Sequence, residues 1–346
     1  MPAVGLDISD RSIKYVELYR DAGEIYVKRF GNEVVPEGII EEGEVKDIDK
    51  FKVFLGSFKE KAKIDYVMVG LPEEKSFLSK VELPKMEDSE IRNVLELQLE
   101  EHVPLSAEEG IFDFDIMPGC KKENHLDINL TVFPRGIVED YRDAFIGAGI
   151  NPLVFETESQ AYIRAMVSKQ ESLENKANMI IDFGKTRTTY AIASGGKLQF
   201  TSSLKMGGKK LEESIVKNMA VDEGQAKKIK IENGFIKSKN NEKSYNAMLP
   251  VISSLKDEAQ KYISYWNSRV EKGNHETISK VLLCGGDSNL FGIVDYLSYE
   301  LKLPVEIGSP WVNILSFEDR IPEMDLRESL FYTTAIGLAL RSINKK

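Results

Sequence analysis

Two stretches of the chain carry the same run of apolar and polar positions around the same polar interruption. Residues 4 to 18, VGLDISDRSIKYVEL, read as two β-rich runs joined by a short loop of Ser, Asp and Arg, with Asp7 where the first run ends. Residues 179 to 193, MIIDFGKTRTTYAIA, repeat the design at a constant offset, Asp182 standing for Asp7, Gly184 for Ser9 and Tyr190 for Tyr15. Each stretch predicts a hairpin, and two of them at one offset predict a duplicated fold.

The remaining pattern fills in an α/β chain. EIYVKRFGNEVVP (24 to 36) alternates like a strand, a helix is predicted near Asp49 to Ala62, and IDYVMVGL (64 to 71) reads as a buried strand stopped by Pro72. That order suits a sheet with one crossover helix. SFLSKVELP (76 to 84), FDFDIM (112 to 117) and HLDINLTVFP (125 to 134) predict strands. Helices are predicted over 88 to 104, capped by Asp88 or Ser89 and closed by Pro104, and over 138 to 149. Residues 76 to 150 therefore read as a small α/β insertion. NPLVFETESQAYIRAM (151 to 166) runs from strand into helix, with Glu156, Thr157, Glu158 and Gln160 at the junction; Thr157 and Gln160 have capping-box spacing. The charged stretch 169 to 178 reads as a boundary loop.

In the second half, KLQFTSSL (197 to 204) predicts a strand, and MGGKKLEESIVKNM (206 to 219) a helix opening at Gly207 and Gly208. Helices over 222 to 233 and from Asn246 to Lys272 are separated by a polar loop, 235 to 244. The long one carries Met248, Ile252, Leu255, Ala259, Tyr262, Ile263, Trp266 and Val270 at intervals of three and four, a core-facing stripe. KVLLCGGDSNLFGIVDYLSYEL (280 to 301) is a strand, a turn of Gly285, Gly286, Asp287 and Ser288, then a helix, followed by the strand PVEI.

The hairpin loops are where chemistry is expected. A tight turn exposes consecutive backbone N–H groups, hydroxyls add donors, and a nearby acid can hold a hydrated cation, so phosphate is the natural guest. The plainer alternative is an ordinary turn whose Asp satisfies local amides. Glycines at a helix start, such as Gly207 and Gly208, let a ligand approach or simply permit the turn. Gly285 and Gly286 divide the same way between ligand contact and strand-to-helix packing.

Composition narrows the partners. The chain has 346 residues, enough for two lobes with separate cores, and 46 basic against 56 acidic residues give a net charge of −10, which disfavours nucleic acid. Cys120 and Cys284 are far apart, and His102, His125 and His275 show no ligand spacing, so neither a disulfide framework nor a metal motif is expected. No charged-then-apolar leader or membrane-spanning run is present, and the expectation is a soluble, cytoplasmic protein. In SLFYTTAIGLALRSINKK the small residues Ala335, Gly337 and Ala339 suit close helix packing better than a membrane anchor.

Two phosphate hairpins, an acidic strand-to-helix junction, a late Gly-Gly turn and a final AIGLAL helix come in the order found in actin-like ATPases. Within that superfamily VGLDISDRSIKYVEL, VPEGIIEEGEVKD, LELQLEEHVPLSAEEGIFDFDI, GAGINPLVFETESQA, MIIDFGKTRTTYAIA and LCGGDSNL resemble the PilM family of type IV pilus assembly proteins, related to FtsA, almost from end to end. The resemblance implies an actin-like (ribonuclease H-like) two-lobe α/β ATPase fold with an inserted 1C-type subdomain. Subdomain 1A would take residues 1–75, 151–177 and 330–346, 1C 76–150, 2A 178–208 and 276–329, and 2B 209–275.

It also implies ATP with magnesium between the lobes. By that resemblance Asp7, Ser9, Asp10, Arg11, Ser12 and Lys14 match the first phosphate motif, and Asp182, Gly184, Lys185, Thr186 and Thr188 the second. Gly207, Gly208, Lys210, Gly285, Gly286 and Asp287 fall on the nucleotide-binding side. Asp7 and Asp182 would hold magnesium through water, and Glu156 and Glu158 would influence the attacking water, making Asp7, Glu156 and Asp182 the catalytic candidates of what is at most a slow ATPase. Ser9 and Arg11 depart from the family's small residues, and a side chain at Ser9 requires the turn to avoid glycine-only dihedrals.

The implied partner is the N-terminal cytoplasmic peptide of a PilN-like membrane protein, docked between 1A and 1C. That peptide would bring the chain, with other pilus or type II secretion assembly proteins, to the inner face of the membrane without insertion. Self-association stays open. The rival readings are a small-molecule kinase, using Glu156 or Glu158 as base, and an FtsA-like division protein, which predicts a long C-terminal linker where this chain stops at Lys346.

Overall fold

The computed structural model describes residues 3–117, 125–270, 276–316, 318 and 320–344. Cys120 and His275 lie outside the described residues. The chain divides into two compact units, Met1–Ala161 with Thr334–Lys346, and Tyr162–Thr333.

In the first unit β1 (Val4–Ile8) and β2 (Ser12–Asp21) form the predicted hairpin, and β3 (Glu24–Val34) extends it. A short hairpin that the pattern does not reveal follows, β4 (Ile40–Glu41) and β5 (Glu44–Val45), with Gly43 at φ 78° in its turn. It is missed because two-residue strands carry no period. α1 (Ile48–Ala62) starts at Asp47, whose side chain accepts from the Lys50 amide, and leads to β6 (Tyr66–Leu71), parallel to β1.

The next stretch makes a sheet of its own: β7 (Phe77–Pro84), α2 (Asp88–Leu97), α3 (Leu99–His102), β8 (Gly110–Ile116) and β9 (His125–Pro134), with strand order β7-β9-β8. Val81, Leu83, Ile91, Leu95, Ile128 and Leu130 form its separate core. The helix predicted over 88 to 104 is two helices divided at Gln98. Its cap is Glu87 rather than Asp88 or Ser89, because Glu87 and Glu90 satisfy each other's amides in a capping box.

α4 (Arg135–Gly147) then sets Tyr141 and Phe145 against Phe51 of α1, burying one face of the main sheet. β10 (Asn151–Thr157) joins beside β6 and runs into α5 (Glu158–Met166), giving the order β10-β6-β1-β2-β3.

The C-terminal helix, Thr333–Asn344, lies along the other face of this sheet at van der Waals distance. A Cβ on Gly5 would sit 2.0 Å from the Ala335 carbonyl oxygen, and one on Gly337 would sit 1.9 Å from that of Ala161. The small residues of AIGLAL are thus packing residues, as expected. No helix among the described residues is long and apolar enough to cross a membrane.

The second unit contains α6 (Lys169–Leu173), β11 (Ala177–Phe183), β12 (Thr188–Ser194), β13 (Lys197–Leu204), α7 (Gly208–Met219), α8 (Glu223–Asn233), α9 (Glu242–Val270), β14 (Ile278–Cys284), α10 (Ile293–Leu301), β15 (Val305–Ile307) and α11 (Leu326–Ser329). Its sheet, β13-β12-β11-β14-β15, repeats the first: an antiparallel meander on one side of the central strand, parallel strands on the other. The duplicated hairpins sit at corresponding places, Asp7 opposite Lys14 and Asp182 opposite Thr189.

Met248, Ile252, Leu255, Ala259, Ile263 and Trp266 of α9 are buried in this unit's core, as the stripe predicts, and Tyr262 packs half-buried against it. Two boundaries differ from expectation. α6 occupies part of the charged stretch 169 to 178, started by a capping box between Ser168 and Glu171. α9 begins at Glu242 inside the polar run, because Ser244 is buried and hydrogen-bonded to Asn233 and to the Asn241 carbonyl. Polar residues held by tertiary contacts look like a loop in sequence.

Gly337→Ala is expected to destabilise the protein by about 1–3 kcal/mol, because backbone fills the space a methyl needs. Gly136→Ala, with open space at the same atom, is the control, and denaturant midpoints of the two variants check the difference.

Candidate functional site

The two hairpin turns are built alike down to single hydrogen bonds. In the first, the Ser9 amide donates to the Ser12 carbonyl at 2.9 Å; in the second, the Gly184 amide donates to the Arg187 carbonyl at 3.0 Å. Ser9 and Gly184, and Ser12 and Arg187, correspond at the offset seen in the sequence. Closing the turn this way leaves the two intervening amides out of the closing hydrogen bond. The N–H groups of Asp10 and Arg11, and those of Lys185 and Thr186, have no acceptor among the described residues. Each unit therefore offers a pair of consecutive backbone donors, the arrangement that binds an anion.

In the first unit the side chains around the turn are largely engaged. The Ser9 hydroxyl donates to the Ser12 carbonyl at 3.1 Å and accepts from the Ser12 amide at 3.2 Å, and Ser9 is not among the residues at positive φ. A serine is accommodated without strain. Asp10 accepts from the Glu42 and Gly43 amides, at 3.1 and 2.9 Å, tying the turn to the β4–β5 hairpin. Arg11 pairs with Glu37 at 2.7 Å in a solvent-exposed contact. Asp7 is buried at the end of β1, and Lys14, directly across the ladder, donates to its Oδ2 at 2.8 Å.

The acidic junction divides. Asp7 and Glu156 both stand level with Gly70 on the strand between them, so about two strand spacings, roughly 9–10 Å, separate their backbones. Glu156 is buried and bound by Arg341 of the C-terminal helix. Glu158 is half-buried beside Gly70. Thr157 accepts from the Gln160 amide at 3.3 Å, the structural role that its spacing suggested.

Sequence reasoning missed Glu73. It is buried in the 3-10 turn after β6 and accepts from the Ser159 amide at 3.0 Å and the Ser159 hydroxyl at 2.5 Å, placing a carboxylate at the start of α5. Its one signal is an acid directly after a strand-ending proline.

In the second unit, glycines bring three elements together at the turn. The Gly208 and Lys209 amides that open α7 donate to the Gly184 and Lys185 carbonyls, at 3.0 and 2.7 Å. A Cβ on Gly207 would strike the Gly184 carbonyl at 2.4 Å, and one on Gly208 would strike the Asp287 carboxylate at 2.0 Å. Gly285 adopts φ +85°, and a Cβ there would meet Asp182 Oδ1 at 2.2 Å. These glycines serve close approach of the protein to itself. The first donors of α7 are already spent, whereas the Lys185 and Thr186 amides are not.

Charge holds the same place. Lys185 and Lys230 both pair with Glu212, and buried Lys230 also pairs with Asp287. Burial works against the charge on Lys230, but Asp287 and Glu212 outweigh it and raise its pKa. Burial likewise opposes the charge on Glu212, and hydrogen bonds from Lys185 and Lys230 outweigh it, holding its pKa below the ordinary 4.5. Thr186 is exposed, the Thr188 hydroxyl donates to the Met206 carbonyl at 2.5 Å, and Lys210 pairs with Glu213 at 3.0 Å. Gly286 opens a short 3-10 turn.

Asp7 and Asp182 end the central strands of the two sheets, the position at which parallel α/β sheets present ligand groups. One or two carboxylates with water around them fit magnesium, which keeps much of its hydration shell. Lys14 already neutralises one oxygen of Asp7, so Asp7 suits contact through water better than direct ligation.

Comparison with known proteins agrees with this architecture. The family described as "Type IV pilus assembly protein PilM" matches residues 5–343. A solved structure of a "PilM-PilN type IV pilus biogenesis complex" superposes with a TM-score of 0.82 at 22% identity, covering 100% of this chain and 99% of that one. The ethanolamine utilization protein EutJ from Carboxydothermus hydrogenoformans gives 0.56 at 17% identity, over 98% and 89%. MreB5 of Spiroplasma citri, bound to AMPPNP, gives 0.56 at 13% identity, over 97% and 94%. The fold is that of the actin-like ATPases.

Ionised Glu212 contributes its full stability above pH 4.5, and that part is lost as pH falls through its lower folded-state pKa. Glu212→Gln is expected to remove this component, read as a shallower fall of the unfolding midpoint with acid. Lys230→Met, which leaves Glu212 and Asp287 without their shared cation, is expected to cost about 3–5 kcal/mol in denaturant unfolding.

Proposed function

Because the chain belongs to the PilM family of type IV pilus assembly proteins, we propose that it is an ATP-binding adaptor of a pilus or related type II secretion assembly complex. The observation that carries this reading is the duplicated turn, with the Asp10 and Arg11 amides in one unit and the Lys185 and Thr186 amides in the other left to receive an anion. In this proposal each pair donates to phosphate oxygens, and Lys185 adds charge.

Asp7 and Asp182 would hold magnesium through water, and the bound ion would supply charge neutralisation of the triphosphate. Lys14, donating to Asp7 Oδ2, holds that carboxylate in place. Gly207, Gly208, Gly285 and Gly286 shape the unit-two side of the site, where Lys230 fixes Asp287 against the start of α7. Glu156, one of the two acids that a small-molecule kinase of this fold could use as base, is held instead by Arg341, and this supports the scaffold reading.

The proposed partner is the N-terminal cytoplasmic peptide of a PilN-like membrane protein, by analogy with the PilM-PilN pairing of the similar complex. It would dock between subdomain 1A and the inserted 1C, residues 76–150, and so bring the chain to the inner face of the cytoplasmic membrane. Nucleotide would tune that contact by its differential affinity for the chain's conformations; a tenfold preference supplies about 1.4 kcal/mol, enough to modulate binding.

In magnesium buffer, Asp7→Ala and Asp182→Ala are each expected to weaken ATP binding at least about tenfold by calorimetry, or 1.4 kcal/mol, with unchanged circular dichroism. Unchanged affinity in both variants would sink the nucleotide site. A PilN-type N-terminal peptide is expected to bind the full chain, with an affinity that changes when ATP is added. Absence of binding in either condition would overturn the adaptor reading.

A further inference from the structure

Away from the turns, the outer face of the β7-β9-β8 sheet gathers three side chains with the chemistry of metal ligands. Glu82 stands directly opposite Asp127 in the antiparallel ladder, and His125 lies two residues before Asp127 on the same strand. Alternation along the strands puts these three on one face, while Leu83, Leu126 and Ile128 turn to the core. The ligand atoms of all three lie within 4.8 Å of one another. We propose that Glu82, His125 and Asp127 form a site for a divalent transition-metal ion of the zinc class.

His125 stands beside both carboxylates without closing a hydrogen bond to either. His125 Nε2 is 3.6 Å from Asp127 Oδ1 and 3.9 Å from Glu82 Oε1. A protonated imidazole donating to either carboxylate would close to about 2.7–3.2 Å. Ligands around a tetrahedral ion, each about 2.0–2.2 Å from it, stand roughly 3.4 Å apart, near the separations of His125 from the two carboxylates.

Charge argues the same way. Two carboxylates directly opposite on neighbouring strands repel. Among the described residues, the His125 imidazole is the one basic side chain beside either carboxylate. A cation placed between them removes the repulsion and uses the imidazole as a neutral ligand.

The donor set selects the ion. One imidazole nitrogen with two carboxylate oxygens favours zinc and its first-row neighbours over magnesium or calcium, which prefer all-oxygen shells. Three protein ligands leave a fourth position for water. Because the ligands sit on hydrogen-bonded strands, the ion would staple β7 to β9 without reorganising a loop. The site is hidden in sequence because Glu82 and His125 meet only through the ladder.

The test uses the full chain stripped of nucleotide and magnesium. Titration with Zn²⁺ by calorimetry, and with Co²⁺ by its visible d–d absorption, is expected to show one equivalent bound at micromolar concentration with a tetrahedral spectrum. His125→Ala is expected to abolish both signals, and Asp127→Asn and Glu82→Gln to weaken binding at least about tenfold, all with unchanged circular dichroism. Asp182→Ala, which alters the proposed nucleotide site, should leave zinc binding intact. No binding at micromolar concentration, or equal affinity in all three ligand variants, would overturn the proposal.

Discussion

One backbone hydrogen bond in each unit decides which donors the molecule presents. The Ser9 amide closing on the Ser12 carbonyl, and the Gly184 amide on the Arg187 carbonyl, consume the inner donors of their turns and leave two amides beyond. Those amides survive any side-chain change except one to proline, so the turns tolerate different residues. Ser9 and Gly184 do the same backbone work, and Arg11 and Thr186 occupy the same position with opposite demands on space and charge.

The surroundings of the turns follow from how each unit keeps them in place. In the first unit, side chains do it: Asp10 grips the β4–β5 hairpin, Lys14 neutralises Asp7, and Arg341 holds Glu156. In the second, the backbone does it, with Gly207, Gly208 and Gly285 allowing approaches of 2.0–2.4 Å between a Cβ position and its neighbours that no larger residue permits. The Lys230 cluster then adds charge to a place already defined by contact. A duplicated scaffold has thus been fixed by two different kinds of force.

This asymmetry bears on the adaptor reading. Backbone donors make a binding site with little chemistry of its own, and Glu156, one of the two candidate acids, is committed to an ion pair. Such a site suits a ligand that biases conformation more than one that is consumed. The β7-β9-β8 sheet keeps a core of its own.

By itself, the amino-acid order determined the duplication, both hairpins, the insertion's strands, the α9 stripe and the close-packing residues of the last helix. Each of these rests on local period or on residues adjacent in the chain. Tertiary structure decided what those signals could not carry. Whether Gly207 and Gly208 admit a ligand or a protein carbonyl depends on Gly184 and Asp287, far along the chain, and the buried role of Glu73 depends on Ser159. Polar residues at 169–173 and 242–245 became helical because caps and buried partners satisfied them. The meeting of Glu82 with His125 exists only through strand pairing. Periodicity reports which face a residue turns to the core; it is silent on which distant residue waits there, and that is what settles a site.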